Sequence, residues 1–180
     1  MRVKAGFTLV ELIIGMVVFS IVLVTVSSMV VSQSRQSVSP VFQIRAAAFA
    51  QSLADEIFSK AFDEVASRSG SLARCDEAQP CTAPVALGPE PGESRATYND
   101  VDDYHNFSQS GDNFTNSNNQ PIEVNGRNLY SGYAASVSVI YDANMDGVAD
   151  TSASTAKLIT IDVTTPDSDV VRFALYRWNF

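Results

Sequence analysis

Polar and apolar positions divide the chain into three patterns. From Leu12 to Val31 nearly every residue is apolar, and no charge stands between Glu11 and Arg35. A helix needs about 20 such residues to cross the hydrocarbon of a bilayer, so this run predicts one membrane-length helix. Beyond it, Phe42, Ala46, Phe49, Leu53, Ile57, Ala61 and Val65 fall at three- and four-residue steps. That is the stripe of an amphipathic helix, with Arg45, Asp55, Glu56, Lys60 and Glu64 mostly off it. Ser39 suits an N-cap and Pro40 a first helical position. Either a helix restarts there or one long helix kinks at the proline. Gly70 reads as the stop.

The third pattern begins near Tyr130. In "GYAASVSVIYD", Ala135, Val137, Val139 and Tyr141 alternate with Ser136, Ser138 and Ile140. In "AKLITIDVTT", Ile159, Ile161 and Val163 alternate with Thr160, Asp162 and Thr164, and in "DVVRFALYRW" Val171, Phe173 and Leu175 alternate with Arg172, Ala174 and Tyr176. Period-two alternation predicts three half-buried strands, and "TPDSD" between the last two is turn chemistry. One apolar sheet face needs a cover, which the helical stripe supplies. The fold class is therefore α+β. Residues 71–128 show no clean period; "PVALGPEPGES" and "NFSQSGDNFTNSNNQ" read as loop. A structureless loop of that length is unusual in a compact domain, so short strands or a helical turn are expected inside it.

Composition narrows the function. The chain has 180 residues, about one domain by length, and a formal net charge of −8. That balance disfavours nucleic acid, which selects basic surfaces. His105 is the single histidine, so a serine–histidine triad or a histidine zinc cluster has little to draw on. No phosphate loop or dinucleotide fingerprint appears. Paired acids such as Asp102 and Asp103 are ordinary in an acidic chain. The expectation is a protein that is not an enzyme.

Two smaller motifs carry chemistry. Cys75 and Cys81 stand in "CDEAQPC". In an exported chain they form a disulfide closing a tight loop; the alternative is two free thiols. In "DANMDGVAD", Asp142, Asn144 and Asp146 occupy alternate positions before Gly147, with the Val148 carbonyl and Asp150 following. This is the front of an EF-hand calcium loop, and calcium is the one cofactor the sequence suggests. The twelfth position is Ala153 rather than glutamate. A solvated Asp/Asn/Gly turn between strands is the alternative.

The N-terminal stretch "KAGFTLVELII" places a carboxylate at the front of the apolar run. A cleaved secretory signal has an apolar region of roughly 7–15 residues and a small-residue cleavage site after it. This run is longer, and no A-x-A follows. A plain anchor fits Arg2 and Lys4 on the cytoplasmic side but leaves Glu11 without a purpose. "GFTLVELI" resembles the signal of type IV pilins and of type II secretion pseudopilins. The resemblance implies cleavage between Gly6 and Phe7 by a prepilin peptidase and methylation of the new N-terminus on Phe7. It also implies that Glu11 pairs with the cationic N-terminus of a neighbouring subunit. A carboxylate at mid-bilayer costs at least ~2.5–3.5 kcal/mol, so a partner for it has a physical motive.

The implied fold is that of a type IV pilin: a long N-terminal helix, apolar then amphipathic, on a C-terminal antiparallel sheet. A helix from Phe7 to Val65 would reach roughly 90 Å. The segments are a leader, 1–6; a transmembrane and filament-core helix, 7–34; an amphipathic helix, 35–70; a variable loop-rich region, 71–128; and a β region, 129–180. "VSPVFQIRAAAFAQSLADEIFSKAFDE" and "VRFALYRWNF" are similar to minor pilins of the mannose-sensitive haemagglutinin (MSHA) kind. The implied partners are major and minor pilins, the peptidase and the inner-membrane assembly platform. The implied location is the inner membrane, with the bulk periplasmic, and then the pilus surface. Alternatives are a type II secretion pseudopilin, or a tip adhesin binding through residues 71–128.

Overall fold

The computed structural model describes residues 6, 8–66, 74–77 and 79–179, with backbone alone over 30–38. Two compact units divide the chain, 1–41 and 42–180. Helix α1 runs Leu9–Phe58 with Pro40 inside it, so the helix does not restart and Ser39 is not a cap. An interior proline costs about 3 kcal/mol. Burial of Phe49, Leu53 and Ile57 behind it, each worth about 1.5–3 kcal/mol, more than offsets that.

In the first unit, Leu9–Met29 is long and apolar enough to cross a membrane, and none of it is buried. In the second, Ala46, Phe49, Ala50, Leu53, Ala54 and Ile57 form the buried face of α1. They meet the inner face of a four-stranded antiparallel sheet, so the α+β class expected from the sequence is the observed one. The strands are β1 (Ser108–Ser110), β2 (Glu123–Val124), β3 (Arg127–Asn128), β4 (Ala134–Tyr141), β5 (Ala156–Thr164) and β6 (Val170–Trp178). The main sheet has the order β1-β4-β5-β6, and β2 and β3 make a separate hairpin. Asn125 and Gly126 turn that hairpin, both at positive φ, as a two-residue turn of matching twist requires.

Register places the three expected strands with the predicted faces inward. Ala135, Val137, Val139, Ile159, Ile161 and Val163 are buried, and Val171, Phe173 and Leu175 pack against them. Val137 pairs with Ile161, which pairs with Phe173. The turn after β5 is closed by Thr165 N–H donating to Asp169 O at 2.8 Å.

One expectation is corrected. The helix ends at Phe58, short of Gly70, which lies outside the described residues. Ala61 leaves the helical path because its N–H donates to Asn99 O and its carbonyl accepts from Val101 N–H, at 3.1 and 3.0 Å. Ala61 is buried in that bridge, while Val65 is exposed rather than part of the stripe. The short elements expected inside 71–128 are present. The region holds 3-10 turns at Pro84–Ala86 and Asp102–Tyr104, the edge strand β1 and the β2–β3 hairpin. It also supplies fully buried Val101, Tyr104 and Phe114 to the core, so much of it is built into the body.

Candidate functional site

At the N-terminus, Gly6 is exposed and outside the helix, and Phe7 lies outside the described residues. Thr8 caps α1: its Oγ1 accepts from Glu11 N–H at 3.3 Å and its carbonyl from Leu12 N–H at 3.2 Å. Glu11 thus sits in the first turn, where a carboxylate complements the helix dipole. Its side chain is exposed among exposed Leu9, Val10, Leu12 and Ile13. Glu11 therefore stands near the start of an apolar span, Leu9–Met29, none of which is buried.

Cys75 and Cys81 are joined by a disulfide, with Cα atoms 4.8 Å apart. Cys75 is buried beside Phe62 and Tyr141. Asn179 Nδ2 donates to the Cys75 carbonyl at 3.0 Å, tying the bridge to the chain after β6.

The β4–β5 loop brings together Asp142, Asn144, Asp146 and Asp150. Asp142 is fully buried, and its carboxylate accepts from Tyr176 hydroxyl (2.7 Å), Gly147 N–H (2.9 Å) and Asp146 N–H (3.1 Å). The Tyr176 hydroxyl, opposed by burial and assisted by those N–H groups, holds Asp142 below the usual carboxylate range. Asp146 Oδ1 accepts from Val148 N–H, and Asp150 Oδ2 from Ala143 N–H and Ser154 Oγ. Met145 and Gly147 take positive φ to close the turn. The loop satisfies its own oxygens and is fastened to β6 through Tyr176.

A buried polar cluster centres on Lys157. Lys157 is fully buried on β5. Its Nζ donates to Phe62 O (2.7 Å), Asp63 Oδ2 (3.2 Å) and Asp102 Oδ1. It also lies over the rings of Phe62 and Tyr141, at 4.2 and 5.0 Å. The two carboxylates sharing it differ. Burial raises Asp63, but Lys157 and the N–H groups of Thr82 and Val65 outweigh it, so the net shift is downward. Asp102 is pushed up to about 6 by burial, which Lys157 only partly opposes; its Oδ2 has no hydrogen-bond partner. The signal was present as parity: Lys157 falls in step with inward Ile159, Ile161 and Val163.

A second ion pair joins 71–128 to α1. Arg95 Nη2 and Nε meet Glu56 at 2.7 and 3.0 Å, and Tyr104 hydroxyl donates to the same carboxylate at 2.8 Å. Glu56, placed off the stripe by its spacing, is thereby recruited to the packed face.

Asp100 yields a pH prediction. It is fully buried, and burial, then repulsion from Asp102 and Asp103, pushes its carboxyl up to about 8. A carboxyl raised in the fold stabilises while protonated; the contribution is complete below its unfolded value and lost as pH rises through about 8. With divalent ions chelated, this contribution is expected to lower the melting temperature progressively from about pH 4 to about pH 8. Asp100→Asn should flatten that fall; an unchanged slope by calorimetric melting would refute the assignment.

Comparison with known proteins agrees with the N-terminal geometry. Residues 1–27 match the family model described as the prokaryotic N-terminal methylation motif. No curated protein and no solved structure matches the chain. At its N-terminus the chain carries a type IV pilin-like prepilin signal.

Proposed function

We propose that this chain is a minor type IV pilin of the MSHA kind, closest in type to the D subunit of that pilus. In this reading a prepilin peptidase cuts between Gly6 and Phe7, and Phe7 is N-methylated. The exposed span Leu9–Met29 first anchors the chain in the inner membrane and then enters a filament core. Glu11 neutralises the N-terminus of a neighbouring subunit. The observation that carries the reading is the methylation motif over residues 1–27 at the head of that span, followed by an α+β body. The role is structural: start or cap a fibre for attachment or motility. Mass spectrometry of the mature protein tests it, with a first residue of N-methylated Phe7 expected. A mature chain still beginning at Met1 would end the reading.

The adhesin alternative has its own observation. Ser108, Gln109, Ser110, Asn113, Thr115 and Asn119 line a groove of about 480 Å³ at the edge strand β1, rich in hydroxyl and amide groups. Filling it with Ser110→Arg separates the readings: an adhesin loses attachment while filaments still form. Whether the fibre is a pilus or a secretion pseudopilus is a question for gene neighbourhood. The calcium reading of Asp142, Asn144, Asp146, Val148 and Asp150 rests on motif spacing. Calorimetric titration of Asp146→Asn against wild type tests it: a lost binding event supports calcium, and an unchanged isotherm ends the idea.

A further inference from the structure

We infer that Glu90, Glu93 and Asp103 form a second cation site, one for a divalent ion of calcium's chemistry. One carboxylate oxygen from each lies within 4.8 Å of the others. Glu90 and Glu93 are half-buried and Asp103 is fully buried. Asp103 Oδ2 is engaged by the N–H groups of Asn99 and Asp100, at 2.7 and 3.1 Å. Its Oδ1 and Glu90 Oε2 are both buried with no hydrogen-bond partner.

Three carboxylates crowded out of water need a counter-charge. None of the ion pairs among the described residues reaches them. Arg95 is paired with Glu56, and Lys157 with Asp63 and Asp102. Lys60 Nζ donates to the Tyr98 carbonyl. Two species remain, a proton or a metal ion. A proton on Glu93 donates one hydrogen bond. It satisfies one orphan oxygen and leaves the other. A divalent cation satisfies both and neutralises two charges.

The oxygens suit calcium, which accepts six to eight hard ligands in irregular geometry, more than magnesium, which demands an octahedron. A turn closed by Glu93 N–H donating to Glu90 O at 3.0 Å fixes two carboxylates, and the 3-10 turn Asp102–Tyr104 fixes the third. The ion would clamp residues 90–104, which carry Arg95 and Tyr104 onto α1. This inference concerns the 42–180 unit and stands whether or not the chain enters a filament.

The test uses the full chain in detergent micelles, carrying Asp146→Asn to silence the β4–β5 loop, melted in EDTA and in millimolar calcium chloride. Calcium at a hundred times its Kd is expected to raise the melting temperature by about 5–10 °C. Adding Glu90→Gln and Glu93→Gln should abolish that rise, and in EDTA should melt at or above the parent because repulsion is relieved. A calcium shift that survives both substitutions overturns the site. So does a parent with no calcium shift; a pH dependence then reduced in Glu93→Gln marks a shared proton alone. If the double variant does not melt cooperatively, Glu90→Gln by itself decides: a calcium midpoint less than roughly tenfold higher than the parent's counts against the site.

Discussion

Glu11→Ala is expected to leave the chain in the membrane while cutting its entry into filaments roughly tenfold or more. The two halves of that result have opposite physics. In a lone subunit, removing a carboxylate from apolar surroundings relieves a cost of up to ~2.5–3.5 kcal/mol, the figure at the bilayer centre, so insertion is not impaired. In an assembled fibre, the same substitution removes the proposed partner of the neighbour's cationic N-terminus. If pairing recovers even half of the insertion cost, about 1.4 kcal/mol, its loss is tenfold in the incorporation equilibrium. The helix start survives, because Thr8 Oγ1 is engaged by the backbone N–H of Glu11, which alanine retains. Glu11→Gln should fail like alanine, since charge rather than polarity is required. The measurement is the ratio of the chain in sheared filaments to that in membranes; an unchanged ratio would remove Glu11 from assembly.

Lys157→Met is expected to be the most damaging single change to the body. Methionine matches much of the lysine's length but leaves Asp63 and Asp102 buried without their cation. Breaking one side of a buried ion cluster typically costs roughly 3–5 kcal/mol. For a body of this size that corresponds to a drop in melting temperature of roughly 10–15 °C. The cause can be separated from simple loss of packing. Asp102 is already raised to about 6, and without Lys157 it should rise further. A carboxyl raised in the fold stabilises more as pH falls, so acid should partly rescue the variant. Adding Asp63→Asn and Asp102→Asn should also recover stability, non-additively, because the three groups act as a unit. A melting temperature within about 2 °C of wild type would show that the lysine's charge contributes little.

Legibility followed the range of the interactions. β4, β5 and β6 and their inward residues could be read because period two is a local property, and so could the membrane-length run. The helix end was misplaced because the stripe continues in the sequence through Ala61 and Val65. What stops it is a backbone bridge to Asn99 and Val101, residues far along the chain. Residues 71–128 looked like loop because their apolar residues have no common period. They are held by long-range partners instead: Arg95 by Glu56, Phe114 by Phe49, whose ring centroids stand 5.0 Å apart. By composition Asp102 and Asp103 are ordinary acids; burial, which no spacing reveals, sets them apart together with Asp63 and Asp100.

By itself the sequence determined the processing signal, the uncovered apolar helix, the helical stripe and the alternating strands, because each is written in neighbours a few residues apart. Tertiary structure alone decided which charges lost their water. Lys157 became a buried cation between two aspartates, and Glu90, Glu93 and Asp103 were gathered within 4.8 Å, because separate segments converge there. Desolvation depends on everything packed around a group, and that depends on where the whole chain goes.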